Sequence, residues 1–307
     1  MRSVESVDRE RAQAIAEKYF GIQASAHELP SERDRNFLLT AGGGKKFVLK
    51  IANVNEKEEV LAAQNAMLSH LVERVSFCPR VVPSISGEHM VVVENHFVRV
   101  LTYLPGKPLG TVNEHSPELL YHLGCTLGQL SAALAGFDHP AFHRDFHWDL
   151  MKGPQILKTY GPRIKSDSLR ELILGYQSPS FGELRRSVIH ADANDYNILV
   201  EDDKVVGLID FGDVVYSYTV GDLAIAVAYV VLGKAEPHAA AAPVIEGYQE
   251  EFELSQDELH ALWPLVRLRL CMSVCIAAYQ QEQQPENEYL GISQNLIAET
   301  LPRLMNQ

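Results

Sequence analysis

Basic side chains are scarce in this chain: 27 lysines and arginines stand against 40 aspartates and glutamates, a net charge of −13 over 307 residues. The few cations are scattered rather than clustered. A surface of that sign repels nucleic-acid phosphates and an anionic bilayer leaflet, so neither a nucleic acid nor a membrane is an expected partner. Cysteine is sparse as well. Cys78, Cys125, Cys271 and Cys275 contain no C-x-x-C pair, which removes the common structural-zinc pattern and leaves reduced core thiols as the expectation. Long apolar runs are lacking: the stretch 223–232 is too short to cross a bilayer. The opening MRSVESVDRER has charges where a secretory leader would carry an apolar run, so a cytoplasmic protein is expected. No internal repeat is visible, and no G-x-G-x-x-G precedes the first pair of strands.

What is present is ordinary globular material, 46% hydrophobic and 22% charged, in a length that suits one large domain or two lobes with a shared cleft. Residues 4–19 read as a charged amphipathic helix. Strand character at 37–40, a glycine-rich turn at 41–46 and a second strand at 47–51 predict a hairpin. Residues 56–75 repeat Val60, Leu61, Met67, Leu68, Leu71 and Val72 at helical spacing. Two further strands follow at 90–94 and 97–103. Pro105, Gly106 and Pro108 mark a stiff connection. They divide a sheet-rich N-terminal lobe, residues 1–104, from a mostly helical C-terminal lobe, residues 105–307. In the second lobe helices are predicted at 117–134, at 167–176 and from 220 onward, interrupted by a strand-rich island at 188–209. The fold class expected is α+β, bilobal and protein-kinase-like.

The island carries the chemistry. It reads S-V-I-H-A-D-A-N-D-Y-N-I-L-V over residues 187–200 and ends, after an acidic turn and another strand, in Asp210-Phe211-Gly212-Asp213. H-x-D-x-x-x-x-N, strand, turn, strand and D-F-G form the arrangement by which kinases move a phosphate. A carboxylate on a fixed loop, Asp192, orients the proton of an attacking hydroxyl. Asn197 and Asp210 supply hard oxygen ligands for Mg²⁺. Each piece alone would read as a solvated polar turn; it is their spacing with a hairpin between that is informative. Lys50 ends the strand 47–50, where such a lysine holds nucleotide phosphates. Glu58 and Glu59 both stand where a helix carboxylate would orient it, and Glu59 lies nearer the apolar face. The run 31–36 is either an ordinary polar turn or the segment that covers the phosphates with backbone amides and a side chain such as Asn36.

H-A-D-A-N-D-Y-N, I-D-F-G-D and G-D-L-A together resemble the aminoglycoside phosphotransferase and choline kinase superfamily. Within it, V-L-T-Y-L-P-G at 100–106, L-L-Y-H-L-G at 119–124, H-R-D-F-H-W-D-L at 143–150, A-A-Y at 277–279 and P-E-N at 285–287 are similar to the hydroxylysine kinases. Related bacterial domains also occur fused to a pyridoxal-phosphate aminotransferase, for which this chain has no counterpart. The resemblance implies Asp192 as base, Asn197 and Asp210 as Mg²⁺ ligands, and Lys50 as phosphate clamp. Thr102, Tyr103 and Leu104 would be the hinge that binds the purine of ATP or GTP. Two departures stand out. Ala191 replaces the usual glycine of H-G-D, and Ala62 lies near the position of the helix glutamate.

For the substrate, an amino acid or amino alcohol, His143, Arg144 and Trp148 are candidates. Arg144 would hold a carboxylate and Trp148 would cover an aliphatic stem, with Asp213 near the reacting end. The alternative is a capped turn with Trp148 in the core. Asp222 is expected to brace the catalytic loop. Two other functions stay open, an antibiotic kinase and a nucleotide-binding module without catalysis.

Overall fold

The computed structural model describes residues 7–31, 34–179, 181–284 and 293–306. The first residues of the predicted N-terminal helix, part of the 31–36 run and the P-E-N segment lie outside the described residues. The chain divides into two compact units, Met1–Pro105 with Gly207–Ile209, and Gly106–Val206 with Asp210–Gln307.

The first unit is a sheet with a helix on each face. Helix α1, Arg9–Phe20, starts on the Asp8 side chain, which accepts the Arg11 N–H, and stops at Gly21 in the left-handed region. Strands β1 (Ala24–Leu29), β2 (Arg35–Ala41) and β3 (Lys46–Ile51) follow, then α2 (Glu58–Leu71), β4 (Val81–Val82), β5 (Val91–Val93) and β6 (His96–Thr102). The main sheet order is β1-β2-β3-β6-β4, with β5 also on β6. The predicted hairpin forms with Leu38 opposite Val48. Strand β1, which had not been expected, pairs antiparallel to β2 along its whole length. Because side chains alternate across a strand, Phe37, Leu39, Leu49, Ile51, Val98 and Val100 share one face and pack with Ala12, Ile15, Ala16 and Phe20 of α1. Asn36, Lys50 and Arg99 fall in one row on the other face, Lys50 opposite both neighbours. Helix α2 covers that face: Asn65 and Gln64 accept from the Arg99 guanidinium.

The second unit begins with β7 (Lys107–Pro108) and α3 (Pro117–Leu134), then α4 (Gly153–Tyr160) and α5 (Asp167–Gly175). Strands β8 (Arg186–Ile189), β9 (Ile198–Glu201), β10 (Lys204–Leu208) and β11 (Val215–Tyr218) make the island. Helices α6 (Gly221–Val230), α7 (Pro237–Glu251), α8 (Gln256–Gln283) and α9 (Gln294–Met305) close the chain. Strand β9 lies between β10 and β7, while β11 pairs antiparallel with β8. Helices α3 and α7 touch backbone to backbone. A methyl group at Gly124 would come within 2.0 Å of the Val244 carbonyl oxygen, and one at Gly247 within 2.1 Å of the Tyr121 carbonyl oxygen.

Helix α8 is fixed at its start by a capping box between Ser255 and Glu258, and the buried Glu258 carboxylate also accepts from Arg185 at 2.8 Å. Among the described residues it is the one helix long and apolar enough to cross a membrane, yet 78% of that stretch is buried inside the protein. A core helix passes the same test.

Candidate active site

Strand β8 delivers residues 190–197 into a loop whose backbone is anchored from below. The Asp222 carboxylate, in the first turn of α6, accepts the N–H of His190 at 2.9 Å and of Ala191 at 2.8 Å. Burial pushes the Asp222 carboxyl up, while the His190 ring and the two N–H donors pull the other way. Ala191 has φ +64°. Its backbone is therefore in the left-handed region that favours glycine, and alanine tolerates it at a cost of about 1–2 kcal/mol. The loop then closes on itself, with Asn194 Oδ1 accepting from the N–H groups of Tyr196 at 2.8 Å and Asn197 at 3.1 Å.

These bonds present Asp192 in one orientation. Its Oδ1 accepts from Asn194 Nδ2 at 3.0 Å and from the Arg269 guanidinium at 2.9 Å. Its Oδ2 accepts from Asn197 Nδ2 at 2.7 Å. Asn197 Nδ2 also donates to the Asp192 carbonyl at 2.9 Å, so the amide nitrogen is committed to Asp192. The Asp192 side chain is held on three sides yet keeps 20% of its surface exposed. Burial raises its pKa, the Asp213 charge adds to the rise, Arg269 opposes it and Asp210 pushes up again. Three aspartates thus share one neighbourhood, and the charges of the other two make Asp192 harder to ionise.

Asp210 follows β10 with φ +62°, and Asp213 is buried at 8% exposure. Phe211 packs edge-on against the His190 ring with centroids 4.6 Å apart, which ties the second motif to the first. His190 Nδ1 accepts the Asp192 N–H at 3.2 Å. Among the described residues no three His, Cys, Asp or Glu side chains gather to hold a metal by themselves. Asn197 and Asp210 as two ligands beside phosphate oxygens fit the sparse protein coordination usual for Mg²⁺.

The candidates for substrate contact need correction. Arg144 is not an available fork: its Nε donates to the Val214 carbonyl at 3.1 Å and an Nη to the Gly212 carbonyl at 2.9 Å. Its guanidinium also lies 4.4 Å from the Phe146 ring centre. The reason is geometric, since carbonyls two residues apart match the spread of a guanidinium. His143 is exposed, bonded through Nε2 to Asp138 at 2.8 Å and stacked on Tyr216 at 4.2 Å; these contacts give it a place beside β11 and none with Asp192. Trp148 packs against a core of Phe146, Ile189, Ala191 and Val215. It also carries the Arg269 guanidinium 4.5 Å from its ring centre, so the core placement and the neighbourhood of Asp192 both hold.

In the first unit Asn36 sits directly across from Lys50, and its Oδ1 is buried without a hydrogen-bond partner. Glu59 is exposed in the first turn of α2, while Gln64 and Asn65 of the same helix accept from Arg99, the neighbour of Lys50 in its row. In the expected hinge, the Thr102 N–H donates to the Arg80 carbonyl at 2.9 Å and the Tyr103 N–H to the Lys46 carbonyl at 3.3 Å. Leu104 follows in irregular backbone.

Sequence reasoning missed Arg269. The signal was present: an arginine inside the apolar run 265–276 cannot reach water from a core helix, and a buried charge needs a partner.

A strand-borne aspartate loop followed at fixed distance by D-F-G, in a chain whose other unit is a sheet with a buried lysine, defines an enzyme of the kinase-like α+β class that transfers phosphate to an alcohol. A sequence profile described as the phosphotransferase enzyme family matches residues 25–263, and the chain belongs to that family. Hydroxylysine kinase of Danio rerio is 31% identical, the match covering 94% of this chain and 89% of that protein. Homoserine kinase of Methylobacillus glycogenes is 27% identical, with 75% and 71% covered. Among solved structures, an amicoumacin kinase in complex with AMP-PNP, Ca²⁺ and Ami superposes with TM-score 0.71 at 15% identity, over 97% of this chain and 93% of that one. The chain is a small-molecule kinase that takes its phosphate from a nucleotide.

Proposed function

We propose that the enzyme phosphorylates the side-chain hydroxyl of a free amino acid, hydroxylysine first, with ATP or GTP as donor and Mg²⁺ as the metal. The observation that carries this reading is Asp192, pinned by Asn194, Arg269 and Asn197 yet still partly exposed. With Oδ1 taken by two donors and Oδ2 by one, Oδ2 is the atom left to accept the proton of the acceptor hydroxyl as its oxygen attacks the terminal phosphorus and the bond from that phosphorus to the leaving nucleoside diphosphate breaks. Asn197 through Oδ1 and Asp210 hold the Mg²⁺. The metal, when bound, neutralises charge on the phosphates. Lys50 and Asn36 hold the donor's phosphates, the backbone from Thr102 to Leu104 meets its base, and Asp213 faces the substrate's ammonium group. Trp148 supplies an apolar wall. Support for an amino-acid acceptor comes from the hydroxylysine and homoserine kinases among the relatives.

The clustering of Asp192, Asp210 and Asp213 would also suit a polycationic antibiotic. A coupled nucleotide assay separates the two readings. Hydroxylysine, homoserine, ethanolamine and an aminoglycoside are supplied at equal concentration, each with ATP and with GTP. The amino acids are expected to turn over fastest. A faster aminoglycoside overturns the substrate class, and absence of transfer to every acceptor overturns catalysis itself.

A further inference from the structure

Arg269 is the largest fully buried side chain of the described residues. It projects from the middle of α8, 2% exposed, and donates an Nη hydrogen to Asp192 Oδ1 at 2.9 Å. Its guanidinium carbon lies 4.5 Å from the Trp148 ring centre and 5.8 Å from that of Tyr229. Its Nε and other Nη are buried without hydrogen-bond partners. A guanidinium in a core with two nitrogens unsatisfied is a costly feature, and folding stability alone gives no reason to keep it where a well-packed apolar residue would serve. The cost is offset by what surrounds the charge: the Tyr229 side chain and the Asp192 carboxylate both favour it, and the hydrogen bond is to the reacting carboxylate.

The surroundings explain what the contact achieves. Asn194 and Asn197 hold Asp192 from within its own loop, so both would move with the loop. Arg269 belongs to a different element, a long helix fixed at its start by the Ser255–Glu258 capping box and by Arg185. It alone of the three donors ties Asp192 to the helical core. It also brings the compensating cation into a neighbourhood of three aspartates. The aromatic face of Trp148 below the guanidinium limits its motion and favours its charge.

We infer that Arg269 is a positioning residue for the transfer step: with Trp148 beneath it, it fixes Asp192 through Oδ1 so that Oδ2 is turned to the acceptor hydroxyl. The inference rests on Asp192 as the proton acceptor. Arg269 acts through Asp192 and touches neither substrate nor nucleotide. Its loss therefore falls on kcat, leaves the KM for nucleotide unchanged, and disappears when Asp192 has already been disabled.

A double-mutant cycle tests this, with Asp192→Asn, Arg269→Met and the pair measured in single-turnover reactions, and folding checked by thermal unfolding and nucleotide binding. Arg269→Met is expected to lower kcat about 100-fold, the size of effect a small misplacement produces, while the nucleotide KM stays within about threefold. In the Asp192→Asn background the same substitution is expected to cost less than about threefold more. If Arg269→Met does not fold, Arg269→Lys serves instead. It keeps the charge but loses the planar fork, and about a tenfold fall in kcat at unchanged KM is expected. Turnover within about threefold of the parent in a folded Arg269→Met or Arg269→Lys protein overturns the inference, as does an equal loss in both backgrounds. Near-normal turnover in Asp192→Asn would sink the role of Asp192 and this inference together. Loss in Asp192→Asn with none at Arg269 sinks only the latter.

Discussion

The Arg144 guanidinium donates to the Gly212 carbonyl at 2.9 Å across 68 residues of chain, and to Val214 two residues further on. The segment it holds contains Asp213 and begins two residues after Asp210, so an arginine that looked like a carboxylate receptor is a clamp on the D-F-G-D turn. Arg144→Ala is expected to destabilise the protein by about 1.5–3 kcal/mol, the range for hydrogen bonds to a charged group. It should slow phosphorylation of every acceptor by a common factor. Urea unfolding and kcat/KM for an amino acid and its decarboxylated analogue check this. A selective loss against the carboxylated acceptor would return Arg144 to the substrate.

Lys50 and Glu59 are expected to part company. Lys50 is buried beside Arg99 on the face that α2 covers, whereas Glu59 is exposed. Lys50→Ala should weaken nucleotide binding about tenfold or more, as loss of a charge-assisted phosphate contact does. Glu59→Ala should leave it within about twofold, as for most exposed charges. Calorimetric titration with ATP and GTP distinguishes the two, and a matching loss at Glu59 would make it the partner that orients Lys50.

Asp210→Ala should abolish turnover and weaken nucleotide affinity only when Mg²⁺ is present, because the lost carboxylate acts through the ion. Titrations run with Mg²⁺ and with EDTA provide the comparison. Equal weakening in both would assign Asp210 a structural role.

Spacing alone pointed to the loop in which Asp192 and Asn197 are hydrogen-bonded. Asp192, Asn197 and Asp210 lie in one short island, and strand alternation placed Lys50 on a defined face. What was not legible depended on partners far along the chain. Strand β11 was missed because its pair, β8, lies upstream of the whole catalytic loop and Val215–Tyr218 reads as the tail of D-F-G-D-V. Strand β1, ASAHEL, has no β-branched residue to mark it. Arg144 was recognised as a cation with work to do, but its acceptors are backbone carbonyls, which carry no sequence identity. Glu59 was placed by helical periodicity, and periodicity does not tell how a first turn meets its sheet.

A fourth expectation concerns pH. Burial pushes the Glu258 carboxyl up, but the Arg185 guanidinium and the Ser255 backbone and side-chain donors pull harder, and the net direction is down. A carboxyl with a folded-state pKa below its unfolded value adds stability above the unfolded value, and that stability is lost as pH falls through the folded one. Glu258→Gln keeps an oxygen for the cap but loses the charged pair with Arg185, and is therefore expected to cost about 2 kcal/mol at pH 7. The difference should shrink steadily below about pH 4, where the parent carboxyl is protonated too. Urea unfolding at both pH values measures it, and a difference independent of pH would remove the ion pair from the account.

The seam between α3 and α7 sets a limit on how this protein can be improved. Gly124 and Gly247 lie inside helices, where replacing glycine by alanine ordinarily gains about 1 kcal/mol of helix propensity. Here the added methyl would meet a carbonyl oxygen at 2.0 Å and 2.1 Å, so each substitution would force the pair apart. Engineering for heat resistance by the most familiar helix substitution would backfire at these two positions, and variants selected for thermostability should keep both glycines while exposed helix positions drift.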